Sequence, residues 1–217
     1  MFKALMMVQW KWTKWPAFLA TLAGFAIPIA SVQSVARRDY GQQAGYIIGA
    51  MQQYAVVYAV LAAAIGLVFA SLAWSNDHKG RHIYALSLPV SRAKYAAMRF
   101  AAGVIFLLLP TLGVLAGCLI ASVIVPIPAG LHTYPIALTL RFLLASGLAF
   151  SIFFAIAAST PKTAGLILGG IAAVFIVAFI LSAAEIKYDL LGHVSSFLFT
   201  EPGLLSVFTG RWMLVDV

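Results

Sequence analysis

Residues able to do chemistry gather in one interval of the chain, Ser75 to Arg99, which reads SNDHKGRHIYALSLPVSRAKYAAMR. It holds Asp77, His78 and His82, with Lys79, Arg81, Arg92, Lys94 and Arg99 from the 14 basic residues of the sequence. Two histidines four apart can share a helix face as metal ligands. Here Gly80 separates them and no third ligand stands nearby, so the spacing does not make a metal centre. No GxxxxGKS/T phosphate loop, GxSxG, HExxH or CxxC occurs anywhere in the chain. The chain therefore reads as a non-enzyme with no cofactor site of its own. Its single cysteine, Cys118, lies in an apolar run and excludes an intrachain disulfide or a cysteine metal cluster.

The same interval has an internal order that suits docking. Trp74 ends an apolar run at an interface position, and Gly80 permits a turn away from it. Ile83, Leu86 and Val90 recur at i, i+3 and i+7, flanked by Tyr84 and Leu88. That spacing predicts a short amphipathic helix, halted near Pro89 because proline disfavours helical geometry in the residue before it. Ser91 is then an N-cap for a new helix that continues through Arg92 and Lys94 into the next apolar run. A short helix held between two spans makes a lever; the alternative reading is a solvated loop that carries positive charge and nothing else.

The elements that position this interval follow from composition. Hydrophobic residues make up 63% of the 217 residues and charged ones 9%, too little polar surface for a soluble domain of this length. Several runs reach the ~20 helical residues needed to cross ~30 Å of hydrocarbon. The expectation is an all-α, polytopic helical membrane protein with about five spans, 17–35, 47–74, 100–125, 136–158 and 163–184. Residues 1–15 precede them and carry Lys3, Lys11 and Lys14 with Met7 on one face, and Trp10, Trp12 and Trp15 besides. They read as an interfacial helix whose basic side meets anionic lipid or a partner, or as a plain anchoring flank. Residues 185–217 contain Glu185, Asp189, Glu201 and Asp216 and only short apolar pieces, and read as an interfacial segment on the outer face.

Within the spans, Gly113-x-x-x-Gly117 and Gly165-x-x-x-Gly169 let backbones approach closely, either inside one chain or between two. Gln52 and Gln53 are polar for lipid-facing positions and sit at an interface or line a substrate path. Arg141 snorkels to an interface or binds an anion. The net charge of +8 is read as the positive-inside bias, with lipid membrane and no nucleic acid as partner. It puts the N-terminus, the 75–99 interval and Lys162 in the cytoplasm, and Arg37, Arg38, Arg141, Lys187 and Arg211 outside.

Asp77-x-x-Gly80 followed by Leu86-Ser87-Leu88-Pro89-Val90-Ser91-Arg92 resembles the cytoplasmic segment of ABC-2-type permeases, the membrane subunits of ATP-binding-cassette exporters. About sixteen residues match closely, and the likeness extends loosely over most of the chain. The resemblance implies a bacterial cytoplasmic membrane, a separate ABC ATPase subunit carrying ATP and Mg, and a second permease chain, identical or related. It also implies a coupling helix at about Ile83–Leu88 between spans two and three, shaped by Asp77, Gly80, Leu86, Pro89, Ser91 and Arg92; the apolar face of Ile83, Leu86 and Val90, read from its spacing, is where the partner is expected to bind. Two departures stand out. Gly80-Arg81-His82 is more basic than the family's usual continuation, and the family's sixth span is not visible after Gly203, so this is a five-span variant or one with residues beyond Val217. The alternative function is a non-transporting scaffold subunit of a larger membrane complex.

Overall fold

A computed structural model of the chain describes residues 2–36, 44–79, 90–124, 131–159, 161–183, 189–200, 202–210 and 212–216. Long uninterrupted apolar sequence makes long helices: α1 (Phe2–Ala36), α2 (Ala44–Lys79), α3 (Arg92–Ile124) and α4 (Pro135–Ala158). They are followed by α5 (Pro161–Ala183), α6 (Leu190–Phe199) and a 3₁₀ turn at Ser206–Phe208. A two-residue strand before α4, β1 (His132–Thr133), pairs with another near the chain end, β2 (Val215–Asp216). Four stretches, Phe2–Ser34, Met51–Ser75, Arg92–Ile124 and Pro135–Ala158, are long and apolar enough to cross a membrane. The expected fifth span coincides with α5, whose apolar part, Gly165–Leu181, is shorter than these.

The helices fall into two compact units, residues 1–154 with 211–217, and residues 155–210. In the first unit small residues allow close packing. A Cβ on Gly113 would sit 2.5 Å from the Thr21 carbonyl oxygen, and one on Gly117 would strike the Phe25 carbonyl, so α1 and α3 run parallel in near backbone contact. Gly66 lies in the same way against Ser146, Ala149 and Phe150, which joins α2 to α4. The Tyr54 hydroxyl donates to Ser34 Oγ at 2.6 Å and ties α2 to α1. Interhelical contacts of this kind take the place of a hydrophobic driving force, which is lacking between helices in lipid. The second unit has its own local bonds: the Asp189 carboxylate caps α6 by accepting the Gly192 N–H at 2.7 Å, and the Leu205 N–H returns to the Leu198 carbonyl at 2.9 Å.

Two elements differ from the sequence expectation. The N-terminal segment is not a separate helix; α1 is unbroken from Phe2 and carries Pro16 and Pro28 within it. The reason is a stripe of buried residues at i, i+4 spacing, Leu5, Gln9, Thr13 and Ala17, which continues straight into the span. Lys3, Met7, Lys11 and Lys14 are exposed, as their shared face requires. Nor does the end of the chain lie wholly on a surface. Trp212, Met213, Leu214 and Val215 are buried, the Trp212 ring stacks on Tyr58 with centroids 6.3 Å apart, and the Arg141 guanidinium lies 5.4 Å over that same ring. The Tyr134 N–H donates to the Leu214 carbonyl at 2.8 Å beside the strand pair.

Candidate functional site

The helices on either side of residues 80–91 are longer than the hydrocarbon requires. α2 runs to Lys79, five residues past Trp74, and α3 starts at Arg92, before the apolar run proper. With 36 and 33 residues they are about 54 and 50 Å long, against ~30 Å of hydrocarbon. Ser91 caps α3: its Oγ accepts the Lys94 N–H at 3.4 Å and its carbonyl accepts the Tyr95 N–H at 3.0 Å. Removing the cap with Ser91→Ala is expected to cost about 1 kcal/mol. Thermal unfolding followed with a thiol-reactive dye measures this, since Cys118 is the chain's one cysteine and is fully buried in the fold.

Where these two helix ends meet, four side chains form one buried cluster. Tyr95 and Arg99 are a turn apart on one face of α3, and Trp74 and Asp77 a turn apart on α2. Arg99 Nη2 donates to Asp77 Oδ1 at 2.9 Å, with the two side chains only 7% and 3% exposed. Arg99 Nε and Nη2 donate to the Tyr95 hydroxyl at 2.9 and 2.7 Å. That hydroxyl lies 3.2 and 3.1 Å from the two Asp77 carboxylate oxygens. Arg99 Nη1 donates to the Ala73 carbonyl of α2. The guanidinium also faces the Trp74 ring, 5.6 Å from its centroid, and the Tyr95 ring at 5.1 Å. A planar fork that uses each of its nitrogens is what an arginine, and not a lysine, provides. Beside it Trp74, Phe100, Phe150 and Phe154 form a chain of ring contacts 5.3–5.4 Å apart.

Among the described residues, the polar side chains of Asp77, Tyr95 and Arg99 are engaged with one another. The ion pair and hydrogen bonds join the last turns of α2 to the first turns of α3. Of the candidate coupling residues, Asp77 is inside the cluster, Val90 is half-buried, and Ser91 and Arg92 are exposed at the start of α3. Gly80, Ile83, Leu86 and Pro89 lie outside the described residues. Gln52 and Gln53 are exposed near the other end of α2, about 37 Å along the helix from Asp77, so the two groups are not brought together. Gly113 and Gly117 pack inside the chain, whereas among the described residues no atom comes within 4 Å of a Cβ placed on Gly165 or Gly169.

Sequence reasoning missed Arg99, Tyr95 and Trp74 as partners of Asp77. The available signal was Tyr95-x-x-x-Arg99 at the mouth of an apolar run, with Asp77 the one acid in the interval. Fold and cluster together define an integral, polytopic α-helical membrane protein whose polar interval is braced at its base. Comparison with protein-family models, with curated proteins and with solved structures found no match.

Proposed function

We propose that this chain is the permease subunit of an ABC exporter, driven by a separate ATPase that docks on residues 83–88. The observation that carries the reading is the Asp77–Arg99–Tyr95 cluster at the root of an L-S-L-P-V-S-R segment. A partner pushing on a loose loop would move only the loop. A partner pushing on a segment whose two ends are locked together moves α2 and α3 as a pair, which is the rigid-body element a two-state transporter needs. ATP hydrolysis is left to the partner, in keeping with a sequence that holds no phosphate loop.

Truncating a central apolar anchor of a protein interface costs about 2 kcal/mol or more, some thirtyfold in affinity. Leu86→Ala is therefore expected to uncouple the ATPase, and Arg92→Ala to weaken it further at low salt. The measurement is ATP turnover of the co-purified complex in lipid, with and without each substitution. Turnover that both variants leave unchanged would refute the coupling role. A stoichiometric complex with no ATPase in it would point to the scaffold function.

A further inference from the structure

The exposed flank of α1 carries a feature independent of the transport reading. From Trp10 to Trp15 the chain interleaves rings and ammonium groups: Trp10, Lys11, Trp12, then Lys14 and Trp15. Gln9 and Thr13 are buried and turn away from the surface. At about 100° per residue, the order around the remaining arc is Trp10, Lys14, Lys11, Trp15, Trp12. The two lysines, three apart and so neighbours on the helix surface, are thus flanked by indoles on both sides. Trp10, Trp12 and Trp15 are 45%, 45% and 68% exposed, and the Lys14 ammonium sits 5.9 Å from the Trp15 ring centroid.

The height of this group along the helix selects its ligand. Residues 17–36 of α1 supply the roughly 30 Å needed to cross the hydrocarbon. The preceding turns, Trp10 to Trp15, then occupy about 8 Å of helix, close to the thickness of one headgroup layer. Indole rings prefer that layer, and paired lysines there attract phosphate. Between Met1 and Trp74 the sequence has a single acid, Asp39, beyond the far end of α1, so no carboxylate on this helix competes for the lysines. We propose that Trp10–Trp15 binds anionic phospholipid, Lys11 and Lys14 holding the headgroup phosphate and the three indoles resting at glycerol depth. An acidic protein surface would meet the charge equally well but would not reach rings set in the headgroup layer.

The test uses the full chain in phosphatidylcholine nanodiscs carrying brominated lipid, either phosphatidylglycerol or phosphatidylcholine, with tryptophan fluorescence as readout. Trp74 and Trp212 are buried and form a constant background. Brominated phosphatidylglycerol should quench at a lower mole fraction than brominated phosphatidylcholine, by on the order of fivefold per lysine. Lys11→Gln with Lys14→Gln should abolish that preference, and Lys3→Gln, two turns below the group, should retain it. Equal quenching by the two lipids, or a preference lost as fully in Lys3→Gln, would overturn the proposal. So would a double variant that keeps its lipid preference while losing a protein partner from the purified complex.

Discussion

Arg99→Ala is expected to lower the thermal midpoint of the protein by roughly 10 °C. Removing the arginine leaves the Asp77 carboxylate buried, with the Tyr95 hydroxyl as its remaining side-chain partner among the described residues. Breaking a buried pair from one side costs about 3–5 kcal/mol, because the surviving charge cannot be resolvated. At some 2–4 °C per kcal/mol for a chain of this size, the loss is easily measured. Asp77→Asn should be nearly as damaging from the opposite side, since it leaves the guanidinium without its counter-charge. The informative variant is the double one, Asp77→Asn with Arg99→Met. It removes both charges at once, and should recover part of the stability lost in either single variant. Stability losses that merely add would mean the two residues act separately and α2 and α3 are not joined through them. Arg99→Lys is expected to fall between, keeping the charge and losing the fork that reaches Asp77, Tyr95 and the Ala73 carbonyl together.

Gly113 and Gly117 should tolerate substitution poorly. At both, the space a Cβ would fill is already taken by the α1 backbone, and a carbonyl oxygen cannot swing aside as a side chain can. Gly117→Leu must therefore push α1 and α3 apart along their shared face. Overpacking of this kind typically costs about 1–3 kcal/mol, and the backbone contact puts this site at the upper end or beyond. Gly165→Ala and Gly169→Ala provide the contrast. With no neighbour inside 4 Å, the added methyl meets nothing within the described chain, and alanine's better helix propensity should leave stability unchanged or slightly raised. Measuring all four with the Cys118 dye assay compares opposite expected signs in one protein. Equal destabilisation at all four positions would contradict the assignment of the first pair to intrachain packing.

The readable parts of the fold are those with a local physical cause. Apolar runs long enough to span lipid announced α2, α3 and α4, and the Ser91 cap followed from a hydroxyl placed just ahead of a helical pattern. The continuity of α1 was hidden because its buried stripe includes Gln9 and Thr13, which a hydropathy pattern scores as polar, while its lysines and tryptophans imitate a free interfacial helix. Arg99 was counted only as one more positive charge, since charge bias records sign and not partner. Trp212–Val215 are buried next to a pairing of Val215–Asp216 with His132–Thr133, more than eighty residues earlier, for which no local pattern exists. In each case what escaped was a tertiary choice of partner, the step that propensity and periodicity do not encode.

Whether residues 83–88 receive force from an ATPase, as proposed, can be read from a photo-activated cross-linker placed at Leu86 in the full chain within native membranes. One dominant adduct is expected, to a polypeptide carrying a GxxxxGKS/T loop, and it should be lost when the cross-linker is moved to an exposed span position such as Val60. Adducts to lipid alone, or to a partner with no nucleotide-binding loop, would contradict the proposal.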